Sequence, residues 1–236
     1  MKQELSLIAR ELDGQLSGTG AEHILAHILH AYRGTVALAS SLGLEDQVLT
    51  DMIHRIDPST PIFTLDTGRL FPETYSLIER TNLTYGIRIR LYFPDYREVE
   101  QMTAEHGVNP FYESVEKRRL CCRIRKIHPL KRAFAGLNVW ICGLRHDQSV
   151  TRAGLRTVEW DKQNGLLKVN PLIDWSEEQV WDYIRAHGVP YNRLHDRSYP
   201  SIGCQPCTRA VAPGEDIRSG RWWWEDPDRK ECGLHR

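Results

Sequence analysis

The sequence predicts an α/β protein in which a mostly parallel sheet is flanked by helices. Two observations carry this prediction. Short apolar runs alternate with stretches of helical periodicity over the first 150 residues, as in strands that are joined by crossover helices. The run over residues 35–39 is apolar almost throughout, which indicates a strand buried on both faces of the sheet.

The elements follow one another in a regular order. We expect helices over residues 4–12, 21–33, 45–56, about 72–84 and 96–106, a helical region running through Cys121 and Cys122 to about 135, and a helix ending at about 187. Strands are predicted over residues 35–39, 61–66, 87–92 and 139–143, with a hairpin or looped excursion around Asn164-Gly165. Asp95 with Glu98, and Ser176 with Gln179, match the capping-box pattern of a helix N-terminus.

The length of the chain bounds its domain organisation. Its 236 residues are enough for one large domain. After residue 188, proline, glycine and arginine are frequent and periodicity is weak, which predicts loops lying on the main domain. We expect a single nucleotide-binding and metal-binding domain over residues 1–217 and a mobile C-terminal tail over residues 218–236.

Composition narrows the function classes. Lys plus Arg number 31 and Asp plus Glu number 31, so the formal net charge is zero, which argues against broad electrostatic binding to nucleic acid or membrane. No run of 18 apolar residues is present, so no transmembrane helix is predicted. The first residues lack the apolar core of a secretory signal. Six cysteines without such a signal indicate a reducing compartment, and we expect a cytoplasmic protein.

Four cysteines are the main candidates for metal ligands. Cys121 and Cys122 are adjacent, and Cys204 and Cys207 form a Cys-x-x-Cys pair far down the chain. Four thiolates suit a 4Fe–4S cluster or a structural zinc. Adjacent residues of a helix point about 100° apart, which fits a cluster of several irons better than one small zinc ion. Four thiols without any metal are the remaining alternative.

Three loops that follow predicted strands carry residues suited to an anion. Residues 40–43 lie between a strand and a helix, where backbone N–H groups and the helix N-terminus favour negative charge. Residues 66–69 follow the next strand, at the edge where open α/β sheets bind ligands. Arg145 and Arg152 lie in a polar loop after the fourth strand and suit phosphate or sulfate. Ordinary turns and solvated loops are the alternative for each.

The end of the chain carries a thiol of a different kind. Cys232 is followed closely by His235 and Arg236. Chain termini are usually exposed, and neighbouring cations lower the pKa of a thiol and favour the thiolate. Cys232 is therefore a candidate nucleophile, with an incidental tail cysteine as the alternative. Cys142, in an apolar run, is expected to be a core thiol.

Taken together, these motifs resemble the assimilatory adenylylsulfate reductases, an iron–sulfur family close to the phosphoadenylylsulfate reductases. The matching stretches span nearly the whole chain: residues 40–46, 65–75, 121–122, 143–152, 204–207, 218–224 and 231–235. The resemblance implies an adenine nucleotide alpha-hydrolase-like fold, similar to the ATP pyrophosphatases. It implies a nucleotide site lined by Ser40, Ser41, Gly43, Leu65 and Gly143. The side chains that it implies for the phosphosulfate are Lys126, Arg145, Arg218, Arg221 and His235.

The resemblance also implies a mechanism for sulfate assimilation and cysteine biosynthesis, with a 4Fe–4S cluster held by the four cysteines. The Cys232 thiolate attacks the sulfur of adenosine 5'-phosphosulfate, AMP leaves, and thioredoxin releases sulfite from the S-sulfocysteine. The cluster takes no redox step and holds Lys126 and the Cys204 loop in place. The expected partners are this substrate and thioredoxin, without nucleic acid or membrane, and a homo-oligomer is allowed.

Three other functions stay open from the sequence. Phosphoadenylylsulfate reduction is the same chemistry on a 3'-phosphorylated substrate. A cluster-bearing tRNA sulfurtransferase of the pyrophosphatase type is disfavoured by the neutral charge and by Leu42 and Leu44, where such enzymes carry a more Gly- and Ser-rich loop. A non-enzymatic zinc-binding module is the third. His146 departs from the Arg that the resemblance leads us to expect in its loop.

Overall fold

The computed structural model describes residues 2–148 and 154–226, with side chains from residue 5 onward. The α-helices are Lys2–Leu16 (α1), Ala21–Ala31 (α2), Leu44–Ile56 (α3), Pro72–Tyr85 (α4), Tyr96–His106 (α5), Val115–Cys122 (α6), His128–Ala133 (α7) and Glu177–His187 (α8). The strands are Val36–Ala39 (β1), Ile62–Leu65 (β2), Arg90–Tyr92 (β3), Val139–Ile141 (β4), Val158–Asp161 (β5) and Leu166–Val169 (β6). The predicted elements are confirmed, although β3 covers only the second half of residues 87–92.

The strands of the described chain form one mostly parallel sheet, as the sequence predicts. Its strand order is β3-β2-β1-β4-β6-β5. β1 pairs in parallel with β2 on one side and with β4 on the other, and β4 pairs in parallel with β6. The chain order therefore reverses at β1, between its neighbours β2 and β4. Open α/β sheets bind ligands outside the carboxyl ends of the strands at such a switch point.

The predicted hairpin is present at one edge of this sheet. β5 and β6 pair antiparallel, with Trp160 opposite Leu167. Asn164 donates its backbone N–H to the Asp161 carboxylate at 3.0 Å. Gly165 takes a φ of 74°, a left-handed backbone that glycine adopts without steric cost.

Only one of the two predicted capping boxes is formed. At α8 the Ser176 hydroxyl accepts from Gln179 N–H, and the Gln179 side chain accepts in turn from Ser176 N–H at 2.8 Å. At α5 the Asp95 side chain accepts from Arg97 N–H. Glu98 lies instead 2.9 Å from His128 Nδ1, so a side chain of α7 takes up the carboxylate that the capping box would use.

The helical region through the paired cysteines is confirmed, with one irregularity. Ser114 caps α6 by accepting from Lys117 N–H at 3.2 Å. A π-helical turn, Arg123–Ile127, then connects α6 to α7. Such turns are rare and occur mostly at functional sites, and here the turn follows Cys122 directly and includes Lys126.

The chain divides into two compact units. Unit 1 comprises residues 1–64, 77–90 and 134–192, and unit 2 comprises residues 65–76, 91–133 and 193–236. Fully buried side chains from α2, β1 and α3, including Leu25, Leu38 and Leu49, form the core of unit 1. The buried apolar cluster of unit 2 is Met102, Phe111, Cys121, Ile124, Cys207 and Trp222. A domain boundary at residue 218 stays a prediction.

Among the described helices, none has both the length and the apolar composition that crossing a membrane requires.

Candidate functional site

The loop between β1 and α3 is organised by one carboxylate of unit 1. Asp46, in the first turn of α3, is 5% exposed. Its Oδ2 accepts from the backbone N–H and from the hydroxyl of Ser41, each at 2.6 Å. The Ser40 hydroxyl accepts from Leu42 N–H at 3.1 Å, and Leu42 has a φ of 63°. A leucine takes this left-handed backbone only where its neighbours hold it.

The same carboxylate reaches the loop after β4. Gly143 donates its N–H to Asp46 Oδ1 at 3.1 Å. A Cβ at position 143 would lie 2.6 Å from that oxygen and 2.7 Å from Glu45 Cβ. Only glycine allows the two chains to approach this closely. The Asp46 side chain thereby brings together Ser41 and Gly143, which are both predicted to line a nucleotide site.

Arg145 lies beside this arrangement and is buried. Its Nε donates to Glu45 Oε1 at 2.8 Å, and its Nη1 donates to the Trp175 carbonyl at 3.3 Å. The side chain is 4% exposed. Glu45 therefore fixes the direction of a guanidinium that the sequence assigns to an anionic ligand. His146 Nδ1 lies 3.2 Å from the carboxylate of Asp174.

Burial has a strong effect on Asp46. Loss of water raises the pKa of the Asp46 carboxyl, and the nearby Glu45 charge raises it further, while the hydrogen bonds from Ser41 and Gly143 lower it. The net effect is a pKa of about 6. Keeping this buried carboxyl charged therefore costs free energy. A pKa shifted in this way is typical of groups that serve a function.

The four predicted metal ligands meet in unit 2. Cys121 and Cys122 come from the last turn of α6, whereas Cys204 is the N-cap and Cys207 the last residue of a short 3₁₀ turn. Together with Lys126 they line one cavity of about 20 Å³. The remaining lining residues are Arg69, Phe111, Arg118, Arg125 and Pro206. The four cysteines thus line one cavity, while their role as metal ligands stays a prediction.

The surroundings of the cavity fit a thiolate-ligated centre. None of the five cysteines of the described residues forms a disulfide. Burial raises the pKa of the Cys207 thiol to about 12, and the nearby Cys204 adds to this, whereas Lys126 opposes it. Burial also raises the pKa of Cys121, opposed mainly by Arg125. Thiols ligate metals as thiolates, so the cations at this cavity suit four charged sulfur ligands.

The four cysteines line the cavity without forming a metal-binding group in this structure. Within residues 2–148 and 154–226, no group of three or more His, Cys, Asp or Glu side chains is arranged to hold a metal ion.

Residues 66–69, predicted at a ligand-binding edge, support the cysteine cavity. The Thr67 hydroxyl lies 3.2 Å from Cys204 Sγ. The Thr67 carbonyl accepts from Arg125 Nη1 at 2.8 Å, and the Arg69 carbonyl accepts from Gln205 N–H at 2.8 Å. Sequence reasoning placed this loop at a strand end but missed its role, because its contacts come from residues more than 50 positions away.

A buried ion pair beside the cavity was also missed. Arg118, which is fully buried, donates from Nε and Nη2 to the two carboxylate oxygens of Glu225 at 2.7 and 2.8 Å. Its guanidinium also lies 4.7 Å from the Trp222 ring centroid and interacts with Cys122. The chain at Glu225 is thus held to the element that carries two of the cysteines.

The other predicted site residues are dispersed or fall outside the described chain. Arg221 is buried, donates from Nη1 to Ser201 Oγ at 3.3 Å, and stacks on Trp222. Arg218 is partly exposed and accepts from Arg221 N–H through its carbonyl. Leu65 ends β2 and is partly buried. Arg152, Cys232 and His235 lie outside the described residues.

Comparison with known proteins first identifies the class of fold. FMN adenylyltransferase of Candida glabrata, in complex with FAD and inorganic pyrophosphate, superposes with a TM-score of 0.56 at 15% identity, covering 93% of this chain and 81% of that one. At that identity the likeness concerns the fold alone. It agrees with the predicted adenine nucleotide alpha-hydrolase-like architecture.

The chain belongs to the phosphoadenosine phosphosulfate reductase domain family, which it matches over residues 35–210. The adenosine 5'-phosphosulfate reductase of Allochromatium vinosum is 56% identical over 202 residues, which are 86% of this chain and 79% of the relative. The crystal structure of phosphoadenylyl-sulfate reductase from Candida auris, a phosphate complex, superposes with a TM-score of 0.73 at 27% identity, covering 86% of this chain and 96% of that one. The resemblance drawn from the motifs is confirmed.

Proposed function

We propose that this protein reduces adenosine 5'-phosphosulfate to sulfite and AMP in sulfate assimilation. The supporting observation is the 56% identity to a relative named for that activity, in a chain whose four cysteines line one cavity. The cysteines of the described residues form no disulfide, which fits a reducing compartment, and a cytoplasmic location is part of the proposal.

The proposed chemistry has two steps. In the first, the Cys232 thiolate attacks the sulfur of the substrate, an S–S bond forms, and the bond from sulfur to the AMP phosphate oxygen breaks. AMP leaves as the phosphate monoester, a good leaving group that needs no general acid. In the second, one thiol of thioredoxin attacks Cys232 Sγ and releases sulfite, and its second thiol resolves the mixed disulfide. The dithiol supplies the two electrons and the two protons.

The residues of unit 1 provide the proposed nucleotide contacts. We assign Ser40, Ser41, Gly43 and Gly143 to the nucleotide because their loops follow β1 and β4 at the switch point of the sheet. Leu65, at the end of β2, is assigned from the resemblance. Backbone N–H groups at the start of α3 favour an anionic ligand through the helix dipole.

The proposed contacts to the phosphosulfate are cationic. They come from Lys126, Arg145, Arg152, Arg218, Arg221 and His235. Charge-assisted hydrogen bonds to sulfate oxygens stabilise the charge that develops as the S–O bond breaks. Two of these side chains are held in fixed positions. Glu45 accepts a hydrogen bond from Arg145, and Ser201 accepts one from Arg221.

We further propose a 4Fe–4S cluster on Cys121, Cys122, Cys204 and Cys207. When bound, the cluster supplies a fixed local charge and a covalent link between α6 and the Cys204 loop, without a redox step. The donor set fits, since four thiols line one cavity with Arg69, Arg118, Arg125 and Lys126 around it. Thr67 and Arg125 hold the Cys204 side of the cavity in place.

Phosphoadenylylsulfate is the second candidate substrate. It is favoured by the matching family description and by the Candida auris structure. The identity to that protein is 27%, against 56% to the adenosine 5'-phosphosulfate reductase, so we place the 3'-phosphorylated compound second.

One experiment separates the candidates. The purified protein is incubated with thioredoxin and either adenosine 5'-phosphosulfate or its 3'-phosphorylated form, and sulfite release is measured. The proposal predicts faster release from the first substrate and none from Cys232→Ser with either. Faster release from the 3'-phosphorylated form reverses the assignment, and release from neither by the wild-type protein refutes it.

A further inference from the structure

We propose that the ionised Asp46 carboxylate is a positioning residue that holds the loops after β1 and β4 in their nucleotide-binding arrangement. This inference rests on the nucleotide contacts proposed above. It concerns a side chain that neither the motif analysis nor the comparisons assign to any role. Asp46 does not itself touch the reacting sulfur, so its effect falls on binding rather than on chemistry.

Asp46 lies between the two loops of the proposed nucleotide site. β1 and β4 are neighbours in the sheet, with Leu38 opposite Ile141. Their carboxyl ends are the two sides of the switch point. Asp46 lies in the first turn of α3 and contacts both loops, Ser41 through Oδ2 and Gly143 through Oδ1. A single buried carboxylate therefore sets the spacing of the two loops, although Asp46 and Gly143 are 97 residues apart in sequence.

The hydrogen-bond pattern around Asp46 requires a carboxylate and not an amide. The carboxylate faces three donors: the N–H and hydroxyl of Ser41 and the N–H of Gly143. Two oxygens with free lone pairs satisfy all three. An asparagine of the same shape offers one oxygen and an NH₂ group that only donates. In Asp46→Asn, one of the two loops would therefore meet a donor in place of an acceptor.

Burial makes this carboxylate sensitive to pH, and the charge of Glu45 adds to the effect. Glu45 precedes it on α3 and is paired with Arg145, and Arg145 also lies 4.0 Å from Asp147. These are the charged groups that flank it on α3 and on the loop after β4. Burial among them raises the pKa of Asp46 to about 6. A proton on the carboxyl takes up one acceptor position, so the loops lose one hydrogen bond in mildly acidic solution.

The loop after β1 contains a residue with an unfavourable backbone conformation, which the carboxylate helps to hold. Leu42 has a left-handed φ of 63°, which side chains other than glycine adopt at a cost. The preceding Ser41 is fixed by two bonds to Asp46, and the Ser40 hydroxyl holds Leu42 N–H. Without the carboxylate, the loop is free to relax from this conformation.

The test measures binding of AMP, which requires no turnover, by calorimetry at pH 7.5 and pH 5.5. For Asp46→Asn at pH 7.5 we expect the dissociation constants of AMP and of adenosine 5'-phosphosulfate to rise together, about tenfold or more, as for loss of a charge-assisted hydrogen bond. The kcat should stay within about threefold while KM rises. The difference in affinity between mutant and wild type should shrink about threefold at pH 5.5, where most of the Asp46 carboxyl is protonated. Titration of the AMP phosphate is common to both proteins and cancels in that comparison.

Asp51→Asn is the matched control. Asp51 is another buried acid of α3, and its carboxylate accepts from Tyr85, Tyr183 and Arg55. Its loss should leave AMP affinity unchanged. If Asp46→Asn does not fold, Ser41→Ala removes a hydrogen bond that lowers the pKa of Asp46, so the pH below which AMP affinity falls should move upward.

The outcomes separate this inference from the proposed function. A wild-type protein that reduces its substrate, with Asp46→Asn binding AMP at wild-type affinity, overturns the positioning role alone. Tight AMP binding with the expected Asp46 effect but no sulfite production refutes the proposed reaction and leaves the positioning role standing. Equal weakening by Asp46→Asn and Asp51→Asn would reduce the effect to general loss of packing and also overturns the inference.

Discussion

Asp46 is a residue whose charge opposes the stability of the fold it organises. Its pKa of about 6 lies above the ordinary value of 3.8. A carboxyl with a raised folded-state pKa contributes stability that is fully present below the unfolded pKa. That contribution is lost as the pH rises through the folded pKa.

The first prediction concerns this linkage. Between pH 7.5 and pH 5, wild-type protein should gain unfolding free energy relative to Asp46→Asn, by about 1 kcal/mol for the pKa of about 6. Urea unfolding of both proteins at the two pH values measures the change in the difference. Groups other than Asp46 titrate in both proteins and cancel. A difference that does not vary with pH would show that the folded pKa of Asp46 is ordinary.

Gly143 provides a second test at the scale of single residues. In Gly143→Ala the new Cβ meets Asp46 Oδ1 and Glu45 Cβ within 2.7 Å. We expect a loss of about 1–3 kcal/mol in unfolding free energy from overpacking, together with weaker AMP binding. Gly154→Ala is the control, since a Cβ there meets nothing within 4 Å. Equal stability of the two variants, measured by chemical unfolding, would contradict the close approach at Gly143.

At the scale of elements, the segment before residue 227 is fixed by the pair of Arg118 and Glu225. The pair is bidentate and buried, with Trp222 stacked on the guanidinium. Trp222 is 2% exposed, whereas Trp223 is 39% exposed. These two consecutive tryptophans therefore face different surroundings.

The third prediction breaks this pair. Glu225→Gln leaves the Arg118 charge buried without its carboxylate, which costs about 3–5 kcal/mol in comparable buried pairs. We expect the segment to detach, seen as a red shift of tryptophan emission at denaturant concentrations where the wild type is folded. Glu215→Gln is the control, because Glu215 pairs with Arg209 at the surface. A red shift of the same size in the control would contradict the anchoring role of Glu225.

Some elements and contacts could be predicted from the sequence alone, and others could not. Hydrophobic periodicity located the helices and parallel strands, since these patterns depend on local spacing and burial. The π turn after Cys122 and the pairing of Glu98 with His128 were not predictable, because both depend on which distant side chains compete for the same groups. The contacts of Asp46 and Thr67 escaped for the same reason. The convergence of the four cysteines was predictable, because thiol pairs have few other uses in a reducing compartment.

At the scale of the whole molecule, the cysteine cavity gives the fourth prediction. Anaerobically purified protein should be brown and hold about four irons per chain. Cys204→Ser should lose both iron and colour. Cys142→Ser should keep both, since Cys142 lies outside the cavity and its thiol donates to Asn170 Oδ1 at 3.0 Å. A colourless protein with one zinc per chain would contradict the cluster.

The central claim is that Cys232 carries the sulfur between substrate and reductant. Protein with adenosine 5'-phosphosulfate alone should release one AMP per active chain and then stop. Its intact mass should rise by one sulfite group that maps to Cys232, because a thiolate that attacks sulfur keeps that sulfur until a second thiol removes it. Thioredoxin added later should discharge the adduct as sulfite in a single turnover. An unmodified Cys232, with no AMP until the reductant arrives, would contradict the account.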